Sequence, residues 1–186
     1  IETVARNIQQ VTTLVNDILF LQEMDLILPK FQPVDMFAIA QDVSEKYQDK
    51  AAANLLTIQV TATPELPNIS GDPKSLERAL TALVDNAVKF SPDGGRVDIN
   101  LSEENSYVVI QVIDQGIGIE EERITRIFNR FYHLEKSGEN LFSGIGLGLS
   151  ITNQVIKQHN GYLSVESAPG KGSIFTVRLK AMRVVL

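Results

Sequence analysis

Residues 114–119 read Asp-Gln-Gly-Ile-Gly-Ile and follow directly on a run of alternating apolar and polar residues that begins at Tyr107. Such alternation is typical of a β-strand with one buried face, so Asp114 is expected to end a strand. The two glycines carry no Cβ and let the backbone approach a ligand closely. A carboxylate in this place can accept a hydrogen bond from an exocyclic amine such as that of adenine. An ordinary strand-ending aspartate followed by turn glycines is the alternative.

A second motif precedes this strand and occupies residues 85–90, Asp-Asn-Ala-Val-Lys-Phe. Asp72 is a favoured N-cap and Pro73 a favoured first helical residue, so a helix is predicted from there to the end of the motif. Asn86 and Lys89 lie three residues apart and therefore share one helix face. A carboxamide oxygen can ligate Mg²⁺ and an ammonium group can neutralise phosphate. The alternative is a solvated polar face of an amphipathic helix.

A third motif, Gly-Ile-Gly-Leu-Gly-Leu at residues 144–149, leads into a helix predicted from about Leu147 to His159. Backbone N–H groups at a helix start can hold phosphate oxygens. A dinucleotide-binding fingerprint requires a third glycine where Leu149 stands, and a Walker-type loop requires Gly-x-x-x-x-Gly-Lys-Ser/Thr, which residues 170–173 do not supply. Both of those nucleotide sites are excluded.

The remaining pattern predicts an α+β fold. A helix is expected over about 34–53, a strand over 56–60, a hairpin of strands 96–102 and 107–114 joined by 103–106, a helix near 121–127, and strands at 162–167 and 173–179. This order favours helices on one face of a largely antiparallel sheet.

The first 27 residues contain no glycine or proline and predict one long helix. Its apolar residues repeat at spacings of three and four, which is typical of a seam that packs on a partner helix: Ile1, Val4, Ile8, Val11, Val15 and Ile18. Pro29 and Pro33 interrupt the helical pattern. We therefore expect a helical segment over 1–28, a linker over 29–34 and a folded domain over 35–186.

Composition limits the partners and the compartment. Lys and Arg number 17 against 23 Asp and Glu, a formal charge of −6, which disfavours binding to nucleic acid or to an anionic membrane. No cysteine is present, which excludes thiolate chemistry and is compatible with a reducing cytoplasm. No apolar run approaches the roughly 18 residues of a membrane span. We expect a cytoplasmic location, and the initial Ile1 suggests a fragment whose parent can still be membrane-anchored.

Taken together, the three motifs resemble, in order and spacing, the characteristic boxes of the sensor histidine kinase catalytic domain, within the superfamily that also includes gyrase, chaperone and mismatch-repair ATPases. Residues 127–132 (Ile-Phe-Asn-Arg-Phe-Tyr) and 169–173 (Pro-Gly-Lys-Gly-Ser) resemble two further boxes of that family. The resemblance implies a two-layer α/β sandwich of the Bergerat type with a mixed, mostly antiparallel sheet. The first helix resembles the second helix of the family's dimerisation hairpin.

The resemblance also implies a site for ATP and Mg²⁺. Asp114 would bind the adenine amine, Asn86 would ligate Mg²⁺, Lys89 would contact phosphate, and Ser173 would reach the adenine through water. Residues 135–143 would form a lid that is mobile until nucleotide binds. Gly116 and Gly118 would shape the base pocket, and Arg130 would help neutralise phosphate. Gly144, Gly146 and Gly148 would serve as hinge and phosphate-contact positions of the lid. The further ATP-binding residues implied are Phe90, Ile119 and Leu147.

The activity implied is transfer of the ATP γ-phosphoryl group to a histidine of the dimerisation hairpin, in cis or across a homodimer, with a response regulator receiver domain as the next two-component partner. Ala82 stands where relatives carry a second asparagine or a catalytic glutamate, and the absent base favours a kinase over an ATP-hydrolysing machine. His133 stands where many relatives have arginine. These two departures motivate the alternative, a nucleotide-binding regulatory module with little kinase activity. His159, at a helix end, is interpreted as a capping cation rather than the phosphoacceptor.

Overall fold

The computed structural model describes residues 2–26, 30–130, 132 and 146–182. The helices are α1 (Glu2–Leu26), α2 (Met36–Ala53), α3 (Pro73–Lys89), α4 (Glu121–Ile124) and α5 (Gly148–Gln158). The strands are β1 (Gln32–Val34), β2 (Leu56–Ala62), β3 (Ile69–Gly71), β4 (Gly95–Glu104), β5 (Tyr107–Asp114), β6 (Tyr162–Ser167) and β7 (Ser173–Lys180).

Five of the strands form one mixed sheet in the order β2-β4-β5-β7-β6. β2 runs parallel to β4, and every other neighbouring pair is antiparallel. Helices α2, α3 and α5 pack on this sheet, and each strand turns alternate residues toward them. β4 and β5 contribute six residues to the hydrophobic core: Val97, Ile99, Leu101, Val108, Ile110 and Val112. The predicted α+β class and the mostly antiparallel mixed sheet are confirmed.

Helix α3 begins as its sequence predicts. The Asp72 carboxylate accepts a hydrogen bond from the Ser75 N–H at 3.0 Å, and Pro73 is the first helical residue. This cap satisfies one of the backbone donors that a helix start leaves without an intrahelical partner. The apolar face of α3, which includes Leu76, Leu80, Leu83 and Val84, is buried in the core. The helix therefore holds its last turn, with Asn86 and Lys89, in a defined position.

Three local expectations differ from the structure. The predicted linker over 29–34 contains β1, which pairs antiparallel with β3. The hairpin between β4 and β5 closes through Asn105 and Ser106 alone, both at positive φ (51° and 71°), because two residues in this conformation match the twist of the flanking strands. Helix α4 ends at Ile124 rather than near Ile127.

Helix α1 has one exposed side and one side that contacts the domain. The predicted seam is exposed at Val4, Ile8, Val11, Val15 and Ile18. On the other side Leu21 is buried, and Asp17 pairs with Arg78 of α3 at 2.5 Å. The Arg78 guanidinium also lies over the Phe20 ring at 4.1 Å. Among the helices that the structure describes, none combines the length and the apolar character needed to cross a membrane.

Candidate nucleotide site

Asp114 ends β5 as a buried carboxylate held by backbone donors. Its Oδ1 accepts hydrogen bonds from the N–H of Gly116 at 2.9 Å and of Ser173 at 3.2 Å. Only 6% of Asp114 is exposed. Burial raises the pKa of this carboxyl group, and the hydrogen bonds from Gly116 and Ser173 oppose that shift. Each carboxylate oxygen can accept more than one hydrogen bond, so Asp114 keeps accepting capacity for a ligand.

The loop after Asp114 lies between two other segments of backbone. The Ile117 N–H donates to the Phe90 carbonyl at 2.9 Å, just beyond the end of α3. A Cβ built on Gly116 would lie 2.1 Å from that same carbonyl oxygen. A Cβ on Gly118, which has φ +68°, would lie 1.9 Å from the Ala168 carbonyl oxygen. The close approach that these glycines permit is therefore between parts of the protein, and it fixes the position of the loop.

Two serines complete the surroundings of Asp114. The Ser167 and Ser173 hydroxyls lie 3.1 Å apart, at paired positions of β6 and β7. Ser167 donates to the Gly172 carbonyl at 2.7 Å and accepts from the Ile119 N–H at 2.8 Å. Sequence reasoning named Ser173 and Ile119 but missed Ser167. The signal for Ser167 was its place at the end of β6, facing a serine across the glycine turn.

At the other side of the site, the last turn of α3 carries Asp85, Asn86 and Lys89. The Asp85 carboxylate accepts from Lys50 at 2.5 Å and from the Tyr47 hydroxyl at 3.2 Å, both on α2. Asn86 is half-buried, and its side chain makes no hydrogen bond with the residues that the structure describes. Lys89 is also half-buried, with its Nζ 5.3 Å from the Phe90 ring centroid. Burial lowers the pKa of this ammonium group.

The start of α5 packs directly on α3. A Cβ built on Gly148 would lie 3.4 Å from the Ala82 Cβ, and the Thr152 hydroxyl donates to the Ala79 carbonyl at 3.2 Å. Leu147 is buried, and its carbonyl accepts from the Ser150 hydroxyl at 2.8 Å. No side chain caps the N-terminus of α5 within the described part of the chain. Among the described residues, its first N–H groups thus have no side-chain acceptor, and they lie beside Ala82, one turn before Asn86.

The remaining predicted residues lie before α5, away from its N-terminus, or outside the described residues. Gly146, at φ +71°, precedes Leu147, the N-cap residue of α5. Arg130 is exposed and donates to Gln154 at 3.2 Å, nearly two turns along α5 from its N-terminus. Gly144, His133 and the predicted lid over 135–143 lie outside the described residues.

His159 is the C-cap residue of α5, as predicted, but its ring is not a cation. Its side chain is buried, its Nε2 accepts from the Asp72 N–H at 3.0 Å, and its Nδ1 lies 2.7 Å from the Val155 carbonyl. A backbone N–H requires an acceptor and a carbonyl requires a donor, so the ring carries one proton, on Nδ1, and is neutral. Burial lowers the pKa of His159, in agreement with this neutral form.

Comparison with known proteins supports a nucleotide-binding role. The profile of the family described as histidine kinase-, DNA gyrase B- and HSP90-like ATPase matches residues 71–183, which include the described site. The chain is 31% identical over 186 residues to the sensor histidine kinase RppB of Synechocystis sp., covering 99% of this chain and 41% of RppB. The chain spans less than half the length of the curated relatives it matches.

Solved structures share the fold. Full-length ShkA in complex with AMPPNP matches with a TM-score of 0.81 and 26% identity, over 95% of this chain and 37% of that one. The mycobacterial sensor histidine kinase MprB matches with a TM-score of 0.71 and 31% identity, over 83% of this chain and 99% of that one. Because the family profile matches more than half of the chain and includes Asp114 and Asn86, this protein belongs to the family of histidine kinase-, DNA gyrase B- and HSP90-like ATPases and carries the ATP-binding catalytic domain found in sensor histidine kinases.

Proposed function

We propose that this domain binds ATP with Mg²⁺ and transfers the γ-phosphoryl group to a histidine of a dimerisation hairpin, as the catalytic part of a two-component sensor kinase. The observation that carries the proposal is Asp114, a buried carboxylate fixed by Gly116 and Ser173 within the region that the family profile matches. Because these two N–H groups hold Oδ1 in place, the Asp114 carboxylate is oriented to accept a further hydrogen bond from the amine of adenine. Gly116 and Gly118 hold the loop beside it, and Ser173 adds a hydroxyl.

The phosphate end of the site belongs to α3 and α5. Lys89, three residues after Asn86 on α3, supplies an ammonium group that is not paired with Asp85, because Lys50 binds that carboxylate instead. The N–H groups at the start of α5 supply further donors to phosphate oxygens. In water-poor surroundings such fixed donors stabilise the charge that develops during phosphoryl transfer.

Asn86 fits the role of a Mg²⁺ ligand. It is half-buried and its carboxamide is not engaged by any residue that the structure describes. Within the same residues, no group of three His, Cys, Asp or Glu side chains could hold a metal ion by itself. A Mg²⁺ ion would therefore bind through Asn86 together with phosphate oxygens and water, and would neutralise phosphate charge.

The acceptor histidine is proposed to lie on the hairpin rather than in this domain. Both ring nitrogens of His159 are engaged with backbone groups, so neither can attack a phosphoryl group. The proposed partners are consequently the hairpin, in cis or across a homodimer, and the receiver domain of a response regulator.

Calorimetry with a non-hydrolysable ATP analogue and Mg²⁺ tests the base pocket. Asp114→Asn should weaken binding roughly 10- to 100-fold, because it removes a charged acceptor and disturbs a buried hydrogen-bonded group. The matched control is Asp98→Asn, which changes a carboxylate of β4 that pairs with Arg96 of the same strand. Equal affinity of the Asp114 variant and the parent protein would show that Asp114 does not bind the adenine amine.

Phosphoryl transfer is tested separately with radiolabelled ATP and a hairpin fragment that contains an acceptor histidine. Acid-labile label on the hairpin, lost with Asp114→Asn, is the expected result. ATP binding without any transfer would instead favour the alternative, a regulatory nucleotide-binding module, which Ala82 and His133 motivate.

A further inference from the structure

Asp85 and Lys89 have a spacing that ordinarily forms an ion pair. They lie four residues apart on α3, and an acidic residue four positions before a lysine is the favourable order for a salt bridge along a helix. Such a pair would engage the Lys89 ammonium, the group assigned above to phosphate. In the structure this pair is not formed: Asp85 is bound by α2 instead.

Two side chains of α2 hold Asp85. The Lys50 ammonium and the Tyr47 hydroxyl both donate to the same oxygen, Oδ1, at 2.5 Å and 3.2 Å. Tyr47 is half-buried, and burial together with the neighbouring Asp85 raises its pKa, so its hydroxyl keeps its proton and remains a donor. Lys50 also lies over the Tyr47 ring, 5.2 Å from its centroid. The two donors are thus fixed relative to each other.

From this geometry we infer that Lys50 and Tyr47 are positioning residues: they hold the Asp85 carboxylate against α2 and so keep Lys89 free for the phosphates of the nucleotide. The inference rests on the proposed function, since it concerns the lysine assigned to phosphate. Neither Lys50 nor Tyr47 touches the nucleotide in this role. Their effect on binding is exerted through the direction in which Asp85 turns.

The chain contains a matched control for this cluster. Lys46, one turn earlier on α2, forms an ion pair with Glu77 of α3. Lys46→Gln removes the same charge from the same helix and breaks an ion pair between the same two helices, but leaves Asp85 in place. Any general effect of charge or of α2–α3 packing on nucleotide affinity should appear in this variant as well.

The test is a double-mutant cycle on the dissociation constant of the non-hydrolysable ATP analogue with Mg²⁺. Lys50→Gln should weaken binding roughly two- to fivefold, because Asp85 then turns to Lys89. Asp85→Asn alone should change little, and the double variant should bind like the parent, since no carboxylate remains to engage Lys89. Lys46→Gln should bind like the parent, and the affinity for adenosine, which lacks phosphate, should be unaltered throughout.

Several results would overturn the inference: additive effects in the cycle, an unchanged dissociation constant for Lys50→Gln, or an equal loss in Lys46→Gln. A failure of the proposed function looks different, because the parent protein would then not bind the analogue or Lys89→Met would bind it as the parent does. Circular dichroism of each variant checks that a lost affinity does not come from unfolding.

Discussion

Replacing Gly118 with alanine should destabilise the domain much more than the same replacement at Gly170. The two glycines have almost the same backbone conformation, with φ +68° and +72°. The penalty for a left-handed alanine, about 1–2 kcal/mol, is therefore common to both. The surroundings differ: a Cβ at position 118 would lie 1.9 Å from the Ala168 carbonyl oxygen, whereas a Cβ at position 170 meets nothing within 4 Å.

The magnitude follows from what has to move. The Ala168 oxygen is part of the backbone and cannot rotate aside like a side chain, so the two loops have to separate. Overpacking of this kind typically costs about 1–3 kcal/mol, which adds to the conformational penalty. The expected loss in the free energy of unfolding is about 2–5 kcal/mol for Gly118→Ala and about 1–2 kcal/mol for Gly170→Ala. For a chain of this size each kcal/mol lowers the melting temperature by about 2–4 °C.

Urea denaturation followed by circular dichroism measures the difference between the two variants, and calorimetry adds the melting temperatures. Binding of the ATP analogue should fall in Gly118→Ala, because the loop also positions the Gly116 N–H on Asp114. Equal destabilisation of the two variants would refute the reasoning, since it would mean that the loops are not in contact at Gly118. A normal affinity for the ATP analogue in a folded Gly118→Ala variant would show that the contact at Gly118 does not affect nucleotide binding.

Two further predictions concern other parts of the structure. Since burial lowers the pKa of His159, the unfolded chain takes up a proton at higher pH than the folded chain; the free energy of unfolding should therefore fall as the pH drops below about 6.5. Urea titrations at several pH values measure this effect, and His159→Gln should abolish the fall in the free energy of unfolding. His133→Gln serves as the control. An unchanged pH dependence in His159→Gln would contradict the assignment of His159 as a neutral imidazole. Arg78→Met should accelerate amide hydrogen exchange in α1, because it removes the contacts with Asp17 and Phe20, and equal exchange rates would show that these contacts do not hold α1.

Sequence reasoning succeeded where the signal was local. The Asp72-Pro73 start of α3 and the alternating residues of β4 and β5 each express a preference within one segment, and the structure has these elements. β1 and β3 were missed because each has three residues, too few for a periodic pattern, and they are paired with each other across α2 and β2. The role of Ser167 was missed although Ser173 is only six residues away, because it depends on the register of β6 and β7 that places the two hydroxyls opposite each other.

By itself, the sequence determined the fold class, the three glycine- and asparagine-bearing motifs and the family they resemble, because these depend on residue order and spacing. Only the tertiary structure decided the state of individual side chains. It showed that His159 is neutral, that Asp85 turns to Lys50 rather than to Lys89, and that Gly118 lies against a backbone carbonyl. The physical reason is that burial, hydrogen-bond partners and steric contact are set by segments far apart in the chain.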